Sequence, residues 1–176
     1  MPRYPLILNP RARSERARRA RHFVMEHATR FAIYATNSAE EAAELAQRFS
    51  EEGEEIVVAA GGDGTLNAVV GGLSGSETVL GILPTGTMNV FARELNIPFG
   101  HLAGALEVID AGHVKEVDLF EMEGTPFSPG TVLMQLSTPR QYINMDKFDT
   151  GSSWSFNYSL NYTDTTGSGM AISIPV

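Results

Sequence analysis

The sequence predicts an α/β fold: a mostly parallel sheet flanked by helices, followed by a β-rich C-terminal tail. Three observations carry this. Strand-like and helix-like segments alternate through the first 122 residues, the pattern that produces parallel sheets with helices on both faces. The run "EEIVVAA" is apolar without alternation, as expected of a strand covered on both sides. From about Phe127 the chain becomes rich in Ser, Thr, Asn, Tyr and Gly and shows only short alternating runs. The expected division is an α/β domain over 1–122 and a β-rich tail over 123–176.

In order, "YPLILNP" reads as a strand closed by the turn signal Asn9-Pro10. A helix follows with Ser14 as cap and Ala17, Ala20, Val24 and Ala28 on its apolar stripe. "RFAIYAT" is a second strand. "NSAEEAAELAQRFSEEG" is a helix with Ser38 as cap, Glu41 as capping-box partner and Gly53 as terminator. The third strand is followed by a helix from about Thr65 to Leu73, then a strand "TVLGILP". Helices from about Met88 to Leu95 and Gly100 to Ala111 come next, and "HVKEVDLFEME" reads as one alternating strand. In the tail, "SWSFNYSLNYT" sets Trp154, Phe156, Tyr158, Leu160 and Tyr162 on one dry face.

With 176 residues, 43% of them apolar, the chain suffices for one ordinary domain. There is no cysteine, which excludes a disulfide framework and thiolate metal sites. No run is long enough for a transmembrane helix, and the N-terminus lacks the features of a signal peptide. A cytoplasmic protein is expected. The net charge of −8 is uneven: residues 1–36 hold eight Arg and two Glu, a net +6, leaving −14 for the remainder. The basic segment is suited to phosphates or an anionic surface, or it decorates the solvated face of one helix. The acidic remainder argues against a nucleic-acid binder.

The stretch "AAGGDGTLNAVVGG" falls at the carboxyl end of the third strand, where parallel sheets place their ligands. A strand-to-helix turn presents unpaired N–H groups at the positive end of a helix dipole. Gly61, Gly62 and Gly64 let an anion approach without meeting a Cβ, and a phosphate is the natural guest. Asp63 among them would repel a phosphate unless it holds Mg²⁺ or accepts a proton from an attacking hydroxyl. Its structural alternative is to cap the helix starting near Thr65. Thr65 itself offers a hydroxyl to a phosphate or serves as the cap. No Walker A motif is present, and a dinucleotide fingerprint fails because Asn67 stands where its third small residue belongs. A second loop, Thr85-Gly86-Thr87 with Asn89 at the helix start, ends the fourth strand and should face the same crevice. His22, His27, His101 and His113 show no metal-ligand spacing, and Glu41 and Glu44 belong to a solvated helix face.

"GGDGTLN" followed by "PTGTMNVFARELNIP" resembles the catalytic domain of diacylglycerol kinases and the related sphingosine and bacterial lipid kinases. The resemblance spans about residues 4–122 and includes the opening "NP" after the first strand. It implies the architecture shared with NAD kinases, with ATP and Mg²⁺ as cofactors and phosphoryl transfer to a lipid hydroxyl. It places Asn9 near the nucleotide, Gly62, Asp63, Gly64 and Thr65 at the phosphates or transfer centre, and Thr85, Gly86, Thr87 and Asn89 along the cleft. Asp63 is then the base or the metal-orienting group, and peripheral contact with a membrane is implied by the substrate. Two departures stand out. Val90 occupies the position where many members have Asp, and Arg11-Ala12-Arg13-Ser14 replaces a small, Gly-containing stretch. The family also has a second, lipid-binding β-rich domain, against which only about 50 residues follow here, so weak or absent lipid kinase activity is expected of these residues alone. The alternatives are a non-catalytic nucleotide-binding module and a kinase for a soluble hydroxyl substrate such as NAD.

Overall fold

The computed structural model describes residues 3–10, 15–122, 125–127 and 171–175. The expected tail strand Trp154–Tyr162 and the expected cap Ser14 lie outside the described residues.

Four parallel strands form the central sheet: β1 (Tyr4–Leu8), β2 (Phe31–Ala35), β3 (Ile56–Gly61) and β4 (Val79–Pro84), in the order β2-β1-β3-β4. Burial follows position in the sheet. All five residues of β1 are buried because helices cover both its faces, whereas edge strand β2 alternates between covered and solvent-facing residues. From β1 the chain steps outward to β2, then crosses back to the other side of β1 to make β3. Strand order therefore reverses between β1 and β3, and the splayed loops after these two strands open a crevice at their carboxyl ends. Asn9 follows β1 and Gly61 ends β3, so the topology alone brings them to one mouth.

Helices α1 (Glu15–Glu26) and α2 (Ala39–Glu51) follow the first two strands, and α3 (Asp63–Leu73) follows β3. Ala17, Ala20 and Val24 are buried as expected, but α1 ends at Glu26 and leaves Ala28 exposed beyond it. The capping box of α2 forms: Ser38 Oγ accepts from Glu41 N at 3.2 Å, and Glu41 Oε2 accepts from Asn37 N at 2.7 Å. The reach-back goes to the residue before the cap. Helices α2 and α3 pack through small residues; a Cβ on Gly72 would lie 2.2 Å from Ala43 O and 2.8 Å from Ala46 Cβ. That contact holds α3 close against its neighbour.

The expected helix bounds near the loops shift for local reasons. α3 begins at Asp63, two residues earlier than expected, because Gly62 takes the extended N-cap conformation. Helix α4 (Val90–Glu94) begins two residues later than Met88, because Asn89 is left-handed at φ 46°, ψ 54°. Helix α5 (Leu102–Ala111) begins after His101, whose Nδ1 accepts from Gly104 N at 3.1 Å. Gly100 precedes it at φ +82°, a conformation no helix continues.

The expected single strand over 113–123 is instead two, β5 (Val114–Asp118) and β6 (Phe120–Met122), flanking the buried Leu119. β6 pairs antiparallel with β7 (Thr125–Phe127), and β5 pairs antiparallel with β8 (Ala171–Pro175). β8 also runs beside β4, and Ile174 is fully buried in the same core as Leu80, Leu83 and Ile109.

Candidate functional site

Two strand-to-helix loops meet at the crevice, and their backbones touch. The first runs from Gly61 into α3, the second from Thr85 to Asn89 ahead of α4. Thr85 N donates to Gly61 O at 3.0 Å, extending the β3–β4 ladder into the loops. A Cβ on Gly62 would lie 3.2 Å from Gly86 Cα, and one on Gly86 only 2.4 Å from Gly62 Cα. Glycine at both positions is what allows this approach.

The second loop is braced from within. Asn89 Oδ1 accepts from Gly86 N at 3.1 Å, and Asn89 Nδ2 donates to Gly86 O at 2.8 Å. Asn89 is 2% exposed, so its amide is a structural clamp rather than a ligand-facing group in this arrangement. The left-handed backbone at Asn89 is one that Asn tolerates better than most residues. Asp63 joins the loops a third time: its Oδ1 accepts from Val90 N at 2.7 Å.

This corrects the expected structural role of Asp63. It does not cap the helix near Thr65; it is the first residue of α3, and it caps α4 instead. The N-cap of α3 is Gly62, which has no side chain to occupy the first-turn N–H groups. Those donors, at the start of an eleven-residue helix, are left to face the cleft. A Cβ on Gly64 would meet nothing within 4 Å, so the first turn of α3 opens onto solvent there.

The cleft itself has a volume of about 530 Å³. Asn9, Gly61, Gly62, Gly64, Thr65, Gly86 and Thr87 line it, so seven of the sequence-selected residues share one cavity. Asp63, Thr85 and Asn89 sit behind its wall, all buried. Residues not selected from the sequence complete the lining at its far end: Thr36, Ser38, Ala39 and Ala42, from the end of β2 and the first turn of α2. The signal for them was present. "TNS" ends a strand and opens a capped helix, the same strand-to-helix grammar as the Gly-rich loop, without the glycines.

Glu94, at the end of α4, has its carboxyl pushed up, first by desolvation and then by the charge of Asp63. Among the described residues no group of three or more His, Cys, Asp or Glu is placed to hold a metal ion. No described helix is long and apolar enough to cross a membrane.

The family model for the diacylglycerol kinase catalytic domain matches residues 3–122. The chain belongs to that family. A diacylglycerol kinase of Staphylococcus aureus (strain JH9) is 41% identical over 109 residues, which cover 59% of this chain and 34% of that protein. A solved diacylglycerol kinase structure from Bacillus anthracis str. Sterne superposes with a TM-score of 0.60 at 29% identity, covering 71% of this chain and 44% of that one. A further structure, described as a putative diacylglycerol kinase from the same organism, gives 0.61 at 28% identity, covering 71% and 46%. The match thus spans about a third of the curated relative and under half of the solved chains. Within this diacylglycerol kinase family, the parallel sheet and its flanking helices are the shared architecture.

Proposed function

We propose that the cleft binds ATP and that the chain contributes the nucleotide-binding part, residues 1–122, of a lipid kinase that phosphorylates a lipid hydroxyl such as that of diacylglycerol. The observation that carries this reading is the close pairing of Gly62 and Gly86, which places the open first turn of α3 beside the second loop at the switch point of the sheet. A triphosphate needs several N–H donors converging without intervening side chains, and this junction is built of such backbone.

The residues fit the group in size and chemistry. Gly61, Gly62 and Gly64 would lie along the phosphates, with the Thr65 and Thr87 hydroxyls at the cleft wall as further donors. Asn9, Thr36 and Ser38 line the cavity further from the α3 turn and would meet the nucleoside end. Mg²⁺, when bound, neutralises charge on the transferring phosphoryl group. Asp63 is the carboxylate nearest the loop junction by sequence and hydrogen bonding, and it would take the hydroxyl proton or orient the metal. The lipid substrate brings peripheral contact with a membrane surface.

The bond from Val90 N to Asp63 favours one competing reading, a nucleotide-binding module without turnover, because it gives the carboxylate a structural task. ATP consumption with and without diacylglycerol vesicles separates the two. Vesicle-dependent turnover supports the kinase; nucleotide binding with no turnover supports the module.

A further inference from the structure

Arg16 lies in the first turn of α1, and its Nη1 donates to the carbonyl oxygen of Thr87 at 2.9 Å. Its guanidinium carbon stands 4.5 Å from the centroid of the Phe99 ring, and that of Arg93 stands 5.5 Å from the same ring. Among the described residues neither guanidinium has a carboxylate within ion-pairing distance. Arg19, one turn further along α1, pairs instead with Glu15 on its own helix. Arg16 is an exposed residue, as Arg18 is, but its guanidinium is engaged by the second loop and by Phe99.

Thr87 is exposed and lines the cleft beside Gly86. An unengaged carbonyl there presents partial negative charge at a rim that should attract phosphate. A guanidinium donating to that oxygen neutralises it. The peptide unit is planar, so fixing Thr87 O also fixes the Met88 N–H, which points the opposite way. The other bonds of this loop come from Gly61, Asp63, Asn89 and Arg93, whereas the one from Arg16 reaches it from α1. Phe99 gives the planar guanidinium a flat support, which an ammonium group would not use in the same way.

We propose that Arg16 is a positioning residue of the cleft, holding the Thr87–Met88 peptide of the second loop in place while stacked on Phe99. The consequence for phosphate binding rests on the reading of the cleft as a nucleotide site. The test compares Arg16→Ala and Arg16→Lys with Arg18→Ala, which removes the same charge from an exposed position on the same helix. Amide hydrogen exchange over residues 86–89 is measured in the ligand-free protein, ATP affinity by calorimetry, and Tm by calorimetric scan.

Arg16→Ala should speed exchange at 86–89 by about fivefold or more while leaving the sheet protected. It should weaken ATP binding about tenfold, because the loosened loop must then be ordered on binding, with Tm lowered by no more than about 3 °C. Arg16→Lys should restore part of both, and Arg18→Ala should change neither. Equal exchange at 86–89 in Arg16→Ala and Arg18→Ala would overturn the proposal. So would faster exchange across the whole chain with a larger fall in Tm, which would make Arg16 merely structural. Faster exchange confined to the loop, in a parent that binds no ATP, would uphold the positioning and sink the nucleotide reading alone.

Discussion

The carboxylate of Asp63 accepts a hydrogen bond from the Val90 amide at 2.7 Å, so the first residue of α3 caps the first turn of α4 across 27 positions of sequence. Together with the Gly61–Thr85 backbone bond and the Gly62–Gly86 approach, it makes the two loops one mechanical unit. A negative side chain is well placed there, since it faces helix N-termini on both sides. The same placement explains how a carboxylate is tolerated beside the open first turn of α3, where a phosphate is proposed to bind. Its Oδ1 is already committed to a donor.

The geometry separates the two roles of Asp63. Asp63→Asn keeps an Oδ1 acceptor for Val90 N, so urea denaturation should show stability within about 0.5 kcal/mol of the parent. If the charge serves as base or orients the metal, turnover should fall about 100-fold or more. Asp63→Ala removes the acceptor as well and should cost about 1–2 kcal/mol. Unchanged turnover in Asp63→Asn would leave the residue a cap of α4 and nothing more.

Much of the cleft was legible because glycine positions in a strand-to-helix turn have few other uses. Gly61, Gly62, Gly64 and Gly86 announce close backbone approach, and the structure shows that approach for Gly62 against Gly86. The wall from Thr36 to Ala42 carried the strand-to-helix signal, but it did not stand out as a site because its residues are also what an ordinary capped helix requires. The Asp63–Val90 bond was hidden for a different reason. It joins two segments whose proximity depends on the packing of β3 against β4, which no local pattern records. The break between β5 and β6 was missed because no Gly or Pro marks it; its one sign is the adjacent apolar pair Leu119-Phe120, which interrupts the alternation.

Gly86 and Gly64 should respond in opposite ways. A Cβ on Gly86 would sit 2.4 Å from Gly62 Cα and 2.9 Å from Asn89 Oδ1, both in a braced loop. Gly86→Ala should therefore destabilise by about 1–3 kcal/mol, as overpacking does, and push the loops apart. Gly64 meets nothing within 4 Å, so Gly64→Val should fold normally yet project bulk into the path of the phosphates. Calorimetry should show ATP affinity lost in Gly64→Val without loss of Tm. Equal affinity in Gly64→Val and the parent would remove the α3 turn from the binding site.

Glu94 gives a pH signature. Glu94 is an exposed residue, yet partial desolvation of its carboxyl and then the charge of Asp63 hold its folded pKa above the usual 4.5. For a group raised in the folded state, the favourable contribution is complete below 4.5 and is lost as pH rises through the folded value. Ionised Glu94 is thus a net cost at neutral pH. Glu94→Gln should raise the urea midpoint at pH 7 and converge with the parent below about pH 4. A pH-independent difference between the two proteins would rule out this coupling.

At the opposite end of β1, Tyr4, Arg30 and Asp110 form a cluster that should govern stability without touching the cleft. Tyr4 Oη donates to Asp110 Oδ1 at 3.1 Å, and the same oxygen accepts from Arg30 Nη2. Arg30 also lies over the Tyr4 ring, with its guanidinium carbon 5.6 Å from the centroid. The cluster ties the start of β1 to the end of α5 and the turn before β2. Asp110→Ala would leave Arg30, whose side chain is 17% exposed, without its carboxylate. The cost should be about 1–2 kcal/mol, below that of breaking a fully buried pair because the Asp110 side chain is 36% exposed. Desolvation first, then the bond and charge of Asp110, raise the Tyr4 hydroxyl above its usual 10.0. Its contribution is complete below pH 10 and is lost above, so Tyr4→Phe should flatten the fall in stability on the alkaline side. Four residue steps of β1, about 13 Å, separate Tyr4 from the end of the strand at the cleft. ATP affinity should therefore change less than about twofold in Asp110→Ala while its urea midpoint falls. A parallel loss of affinity would mean that the far end of β1 sets the geometry of the loops after all.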